Sequence, residues 1–102
     1  MLNEGAKPTA IMAVSDLVAI GCADTLIQQG INIPGDVSVI GFGNVLAAEY
    51  FRVPLTTVRQ PKARLGFAAV DTMMKLIHGE KFELKRLAAE LEIRKSTAAP
   101  KK

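Results

Sequence analysis

The sequence has no tryptophan and only one cysteine, Cys22, in 102 residues. A single thiol excludes an internal disulfide and a cysteine-built metal cage, and it fits a reducing compartment. Histidine also occurs once, as His78. It sits near a predicted helix C-terminus, where the dipole favours a cation, and reads as a surface residue rather than a catalyst. No Cys, Asp or Glu recurs with it at ligand spacing, so neither a metal nor a cofactor is expected. The glycines at Gly41 and Gly43 make only G-F-G, short of a phosphate loop or a dinucleotide fingerprint, and Ser15 lacks the G-x-S-x-G elbow. These absences argue against an enzyme. Long apolar runs are missing too, and the start Met1-Leu2-Asn3-Glu4-Gly5 carries an acid. No signal peptide or membrane span is read from it, and a cytoplasmic location is expected.

What is present suits one small globular domain. Hydrophobic residues make up 49% of the chain but aromatic ones only 5%, so aliphatic side chains must build the core. The formal net charge is +3. Lys81, Lys85, Arg86, Arg94, Lys95, Lys101 and Lys102 are spread along the second half without interleaved aromatics. They read as solvated surface rather than a nucleic-acid patch.

Apolar runs and turn signals alternate. Thr9 to Val14 is short and apolar, as for a strand buried on both faces. Ser15-Asp16 then opens a helix through its cap chemistry, with Leu17, Ile20, Ala23 and Ile27 at helical spacing and Gly30 as the stop. The Pro34-Gly35 turn leads into a second buried strand, Val37 to Phe42. Strand, helix and strand form a βαβ unit with parallel strands and a right-handed crossover. Asn44 is a plausible N-cap for a short helix through Phe51, and Leu55 to Arg59 reads as a third strand. Pro61 suits the first turn of a helix from Lys62 to His78, in which Leu65, Ala69, Met73 and Ile77 form one apolar stripe. Leu87 to Arg94 suggests a last strand, with Leu91 and Ile93 alternating against charged neighbours. The expected fold class is α/β, a parallel sheet with flanking helices.

In open parallel sheets, ligands bind beyond the carboxyl ends of the strands. That rule selects Ser15-Asp16, Gly43-Asn44 and Arg59-Gln60. Hydroxyl, carboxylate and amide groups without a nucleophile and base suit a polyhydroxylated ligand better than a reaction. Plainer readings stand beside this one: Asp16 and Asn44 as helix caps, Gln60 as a loop amide.

Three blocks are more specific. PTAIMAVSDLVAIGCADTLIQQGINIPGDVSVIGFGN, then PLTTVRQPKARLG, then RKSTA occur in order. Together, from Pro8 to about Ala98, they resemble the last third of LacI/GalR-type transcription repressors. The resemblance implies an incomplete lobe of the type I periplasmic-binding-protein-like fold. Residues 1–7 would be an extension, 8–95 a partial effector-binding domain and 96–102 a flexible tail. Residues 60–80 would be a crossover helix of the other lobe. It also implies a small-molecule effector, usually a sugar or a purine. Ser15, Asp16, Asn44 and Gln60 would be the ligand-binding residues, and Gly43 stands where many members carry an Asp. Homodimers would form through surface such as Leu17, Ala19, Cys22 and Leu46. Operator DNA would be reached only through an N-terminal head, which nothing before Pro8 resembles. A sugar-binding transport protein shares the lobe architecture and is the alternative; the RKSTA ending favours the repressor.

Overall fold

A computed structural model describes residues 7–84 and 86–100. Lys85, Lys101-Lys102 and all of the expected extension but Lys7 lie outside the described residues. The elements run β1 (Ala10–Met12), α1 (Asp16–Gln28), β2 (Ser38–Ile40), α2 (Leu46–Tyr50), β3 (Thr57–Arg59), α3 (Lys62–Ile77) and β4 (Glu90–Glu92). They fall into two compact units: one reaches Arg59 and resumes at Leu91, and the other is Gln60–Glu90.

In the first unit the βαβ motif forms as its sequence dictates. β1 and β2 pair in parallel, with Ala10 opposite Ser38 and Met12 opposite Ile40. Ser15 caps α1: its Oγ accepts the Val18 N–H at 3.3 Å. Gly30 follows the helix at φ 84°, the left-handed conformation that favours glycine. On the far side of β2, the amides of Val39, Gly41 and Gly43 donate to the carbonyls of Ser96, Thr56 and Val58, each at 2.9 Å. Protein therefore flanks β2 on both edges, and Ser38 and Val39 are buried.

The core gathers Ala13, Ala19, Ala23, Leu26, Ile33, Val37, Val39, Ala48 and Leu55, with Ile20, Cys22 and Phe51 packed against it. Alanines on α1 let the helix approach the sheet closely, so large side chains are few. In the second unit α3 buries no side chain, and its predicted stripe of Leu65, Ala69, Met73 and Ile77 is exposed.

Several expectations are corrected. Every strand is three residues long, shorter than the apolar runs suggested. β1 is not buried on both faces: Ala10 and Met12, which share one face of the strand, are exposed. The inward face of α1 carries Ala19, Ala23 and Leu26, whereas Leu17 is 69% exposed. Ala19 is therefore core rather than dimer surface. Asn44 is not a cap; it adopts φ 58°, and Val45 precedes α2 without a side-chain cap bond. Pro61 stands just before α3 rather than within its first turn. The strand around Leu91 turns its apolar residues outward, leaving Leu91 58% and Ile93 72% exposed. On the opposite face Glu92 and Arg94 are half-buried, and their polar groups find partners in the chain. Finally, the start of the expected tail is tied down. Ser96 is buried, with Oγ donating to the Val39 carbonyl at 2.5 Å and accepting the Thr56 N–H at 2.8 Å. Ser38 Oγ accepts the Ala98 N–H at 3.0 Å.

Candidate effector site

The carboxyl ends of β1 and β2 bring Ser15, Asp16 and Asn44 together in the first unit. Asp16 leads α1, and its N–H donates to the Phe42 carbonyl at 3.1 Å, which draws the helix start onto the end of β2. Its side chain turns inward and is 1% exposed. Oδ1 accepts the Thr57 hydroxyl at 2.5 Å and Oδ2 accepts the Val45 N–H at 2.7 Å. A buried carboxylate needs such donors, because its desolvation would otherwise be prohibitive. Asp16 thus ties the start of α1 to β3 and to the entry of α2.

Thr57 serves two neighbours at once. While its hydroxyl donates to Asp16, the same oxygen accepts the Asn44 N–H at 3.3 Å. Asn44, half-buried, is fixed at its other end by Arg94, whose Nη2 donates to Asn44 Oδ1 at 2.7 Å. Arg94 Nη1 donates to the Leu55 carbonyl at 2.9 Å, and the Arg94 N–H donates to Thr56 Oγ1 at 2.9 Å. The result is a chain of polar contacts, Asp16 to Thr57 to Asn44 to Arg94, across the sheet's carboxyl edge. Ser15 remains half-buried beside it, with its hydroxyl engaged as the helix cap.

Gly41 lies against this cluster for a steric reason. A Cβ there would come within 2.8 Å of Leu55 Cδ2 and closer still to Asp16 Oδ1. Gly43, by contrast, has φ 122° and open space where a Cβ would stand. Gln60 opens the second unit, half-buried, with its carbonyl accepting the Lys62 N–H at 2.8 Å. Thr57 and Arg94 were not singled out from the sequence as site residues. Both fall within the PLTTVRQ and RKSTA blocks, which was the one available signal. Among the described residues no cluster of His, Cys, Asp or Glu is arranged to hold a metal, and no helix is long and apolar enough to cross a membrane.

The profile described as the periplasmic binding protein-like domain matches residues 1–97. The chain belongs to that family. Within it, the chain matches the effector-binding domain of LacI-type repressors. It is 41% identical over 92 residues to the HTH-type transcriptional repressor PurR of Photobacterium profundum, covering 88% of this chain and 28% of that protein. Among solved structures it is similar to the Lac repressor dimer bound to operator and the anti-inducer ONPF. The TM-score is 0.86 and the identity 33%, over 97% of this chain and 35% of that one. A LacI family regulator from Enterococcus faecium with bound ribose gives a TM-score of 0.84 at 33% identity, over 98% and 38% of the two chains. The chain thus spans little more than a quarter of the curated relatives' length, 28% and 29% in two of them.

Proposed function

We propose that this chain works as part of the sugar-sensing, dimer-forming domain of a cytoplasmic, non-enzymatic bacterial transcription repressor. Ser15, Asp16, Asn44 and Gln60 are its effector residues. The observation that carries the reading is the polar cluster at the carboxyl ends of parallel strands, where Asp16, Thr57, Asn44 and Arg94 are mutually bonded. A cluster with neither nucleophile nor metal cage suits recognition of a hydroxylated ligand. Within it Asp16 acts by holding the edge in shape, since both of its oxygens are engaged inside the protein. In the first unit, Ser15 and Asn44 are the groups that meet the effector. The ribose-bound relative supports the sugar class.

In this reading the effector shifts an equilibrium between repressor states, which requires different affinity for the two. Operator contact is made outside residues 7–100, whose basic side chains are scattered.

The test is thermal melting of the intact protein against a panel of neutral and acidic monosaccharides. A ligand at a hundredfold its Kd stabilises the folded state by about 2.7 kcal/mol, a readily measured rise in Tm. At least one sugar should raise Tm, and Asn44→Ala should reduce the rise. A panel in which no sugar raises Tm refutes the reading.

A further inference from the structure

The way Asn44 is held specifies which kind of sugar this edge receives. Arginine has donors and no acceptor, so the atom facing Arg94 Nη2 at 2.7 Å must be the amide oxygen of Asn44. The oxygen is consumed inward, and the amide nitrogen is what remains. No described residue hydrogen-bonds that nitrogen. No fully buried polar side-chain atom among the described residues lacks a partner, so the Asn44 nitrogen keeps contact with solvent. Arg94 also sharpens it, because donation into the oxygen polarises the amide and makes its N–H groups better donors.

The charge around Asn44 points the same way. The bonds of the Arg94 guanidinium go to a carbonyl and to an amide oxygen, both uncharged. Among the described residues it forms no ion pair, and Glu92, two residues before it on the same face, pairs with Arg59 instead. The acid in the same network is Asp16, and its oxygens are turned inward to Thr57 and Val45. Gly43 adds no side chain, and the space beside it is open to an approaching oxygen. The edge therefore offers N–H donors backed by a cation.

We propose that Asn44, pinned by Arg94, is a specificity-determining residue that selects an anionic sugar, one presenting a carboxylate or phosphate oxygen to the amide. This rests on the effector reading above and narrows its ligand class. A neutral hydroxyl can accept from the same N–H, but hydrogen bonds to charged acceptors are roughly twice as strong.

The experiment is isothermal titration of the intact protein with matched probes: glucose, glucuronate and glucose 6-phosphate, then ribose and ribose 5-phosphate. At least one anionic probe should bind about tenfold or more tighter than its neutral parent, the factor that about 1.4 kcal/mol represents. Which one does so distinguishes carboxylate from phosphate. In Asn44→Asp the shape is kept, Arg94 is still satisfied, and the left-handed backbone is tolerated, but the outward donor becomes an acceptor. That variant should lose the preference or reverse it. A wild-type ratio near one, or in favour of the neutral sugars, overturns the proposal while leaving the effector reading intact. An unchanged ratio in Asn44→Asp overturns the assignment to Asn44. Failure of every probe to bind refutes the effector reading and this inference with it.

Discussion

Replacing Asp16 by alanine should cost more stability than any surface change in the chain. The substitution deletes an acceptor of two hydrogen bonds, from the Thr57 hydroxyl at 2.5 Å and the Val45 N–H at 2.7 Å. Thr57 has no exposure, so its hydroxyl cannot turn to water. Hydrogen bonds to charged groups contribute about 1.5–3 kcal/mol each, and a stranded buried donor costs about 1–3 kcal/mol. Allowing for overlap between these effects and some relaxation around the small cavity, a loss of about 3–5 kcal/mol is expected. That is a large share of the roughly 5–15 kcal/mol typical of a folded domain. Thr57→Val removes one of the two bonds to Asp16 and also the acceptor of the Asn44 N–H, and should cost about 2–4 kcal/mol. The double variant should lose less than the sum of the single ones, because the shared bond is counted once. Urea unfolding followed by far-UV circular dichroism suits a chain with no tryptophan and one tyrosine. If Asp16→Ala unfolds within about 0.5 kcal/mol of wild type, the size of an ordinary surface change, the tie contributes nothing and the reasoning fails.

Two further predictions test the packing. Gly41→Ala should destabilise by about 1–3 kcal/mol through overpacking, since its methyl would press on Leu55 Cδ2 at 2.8 Å and on buried Asp16; an unchanged Tm would show that this edge yields freely. The chain should self-associate, because Leu17 and Leu46 are 69% and 72% exposed and α3 buries nothing. Light scattering behind size exclusion at micromolar concentration should report a mass above the 10.9 kDa of one chain, and a monodisperse monomer would contradict it.

Local chemistry was legible in the sequence, and distant chemistry was not. Ser15 announced the start of α1 because a cap bond spans three residues, and Gly30 and Gly79 marked helix ends that the structure places at positive φ. The order of strands and helices followed from apolar runs and turn signals for the same reason. Asn44 misled because its residue type suits both a cap and the left-handed conformation, and the deciding partners, Thr57 and Arg94, lie 13 and 50 residues away. The inward turn of Asp16 depends on Thr57, 41 residues on, which no local pattern encodes. Around Leu91 the alternation was visible but its sense was not, since only the position of Asn44 and the Leu55 carbonyl makes the charged face the half-buried one.

The hydroxyl of Ser96 has a consequence for how the chain reaches its final form. It joins the Val39 carbonyl, 57 residues earlier, to the Thr56 N–H, 40 residues earlier, in the interior of the first unit. Contacts between residues so distant along the chain close late, because the entropy of looping must be lost before the bond is gained. The pairing of β1 with β2 involves only residues 10–40, so it can form while the other edge of β2 is still bare. A half-covered parallel strand of this kind invites pairing with other chains. Residues 56 and 58 cover most of that edge through Gly41 and Gly43, and residue 96 completes the cover at Val39, so full protection of β2 waits on the segment most distant in sequence.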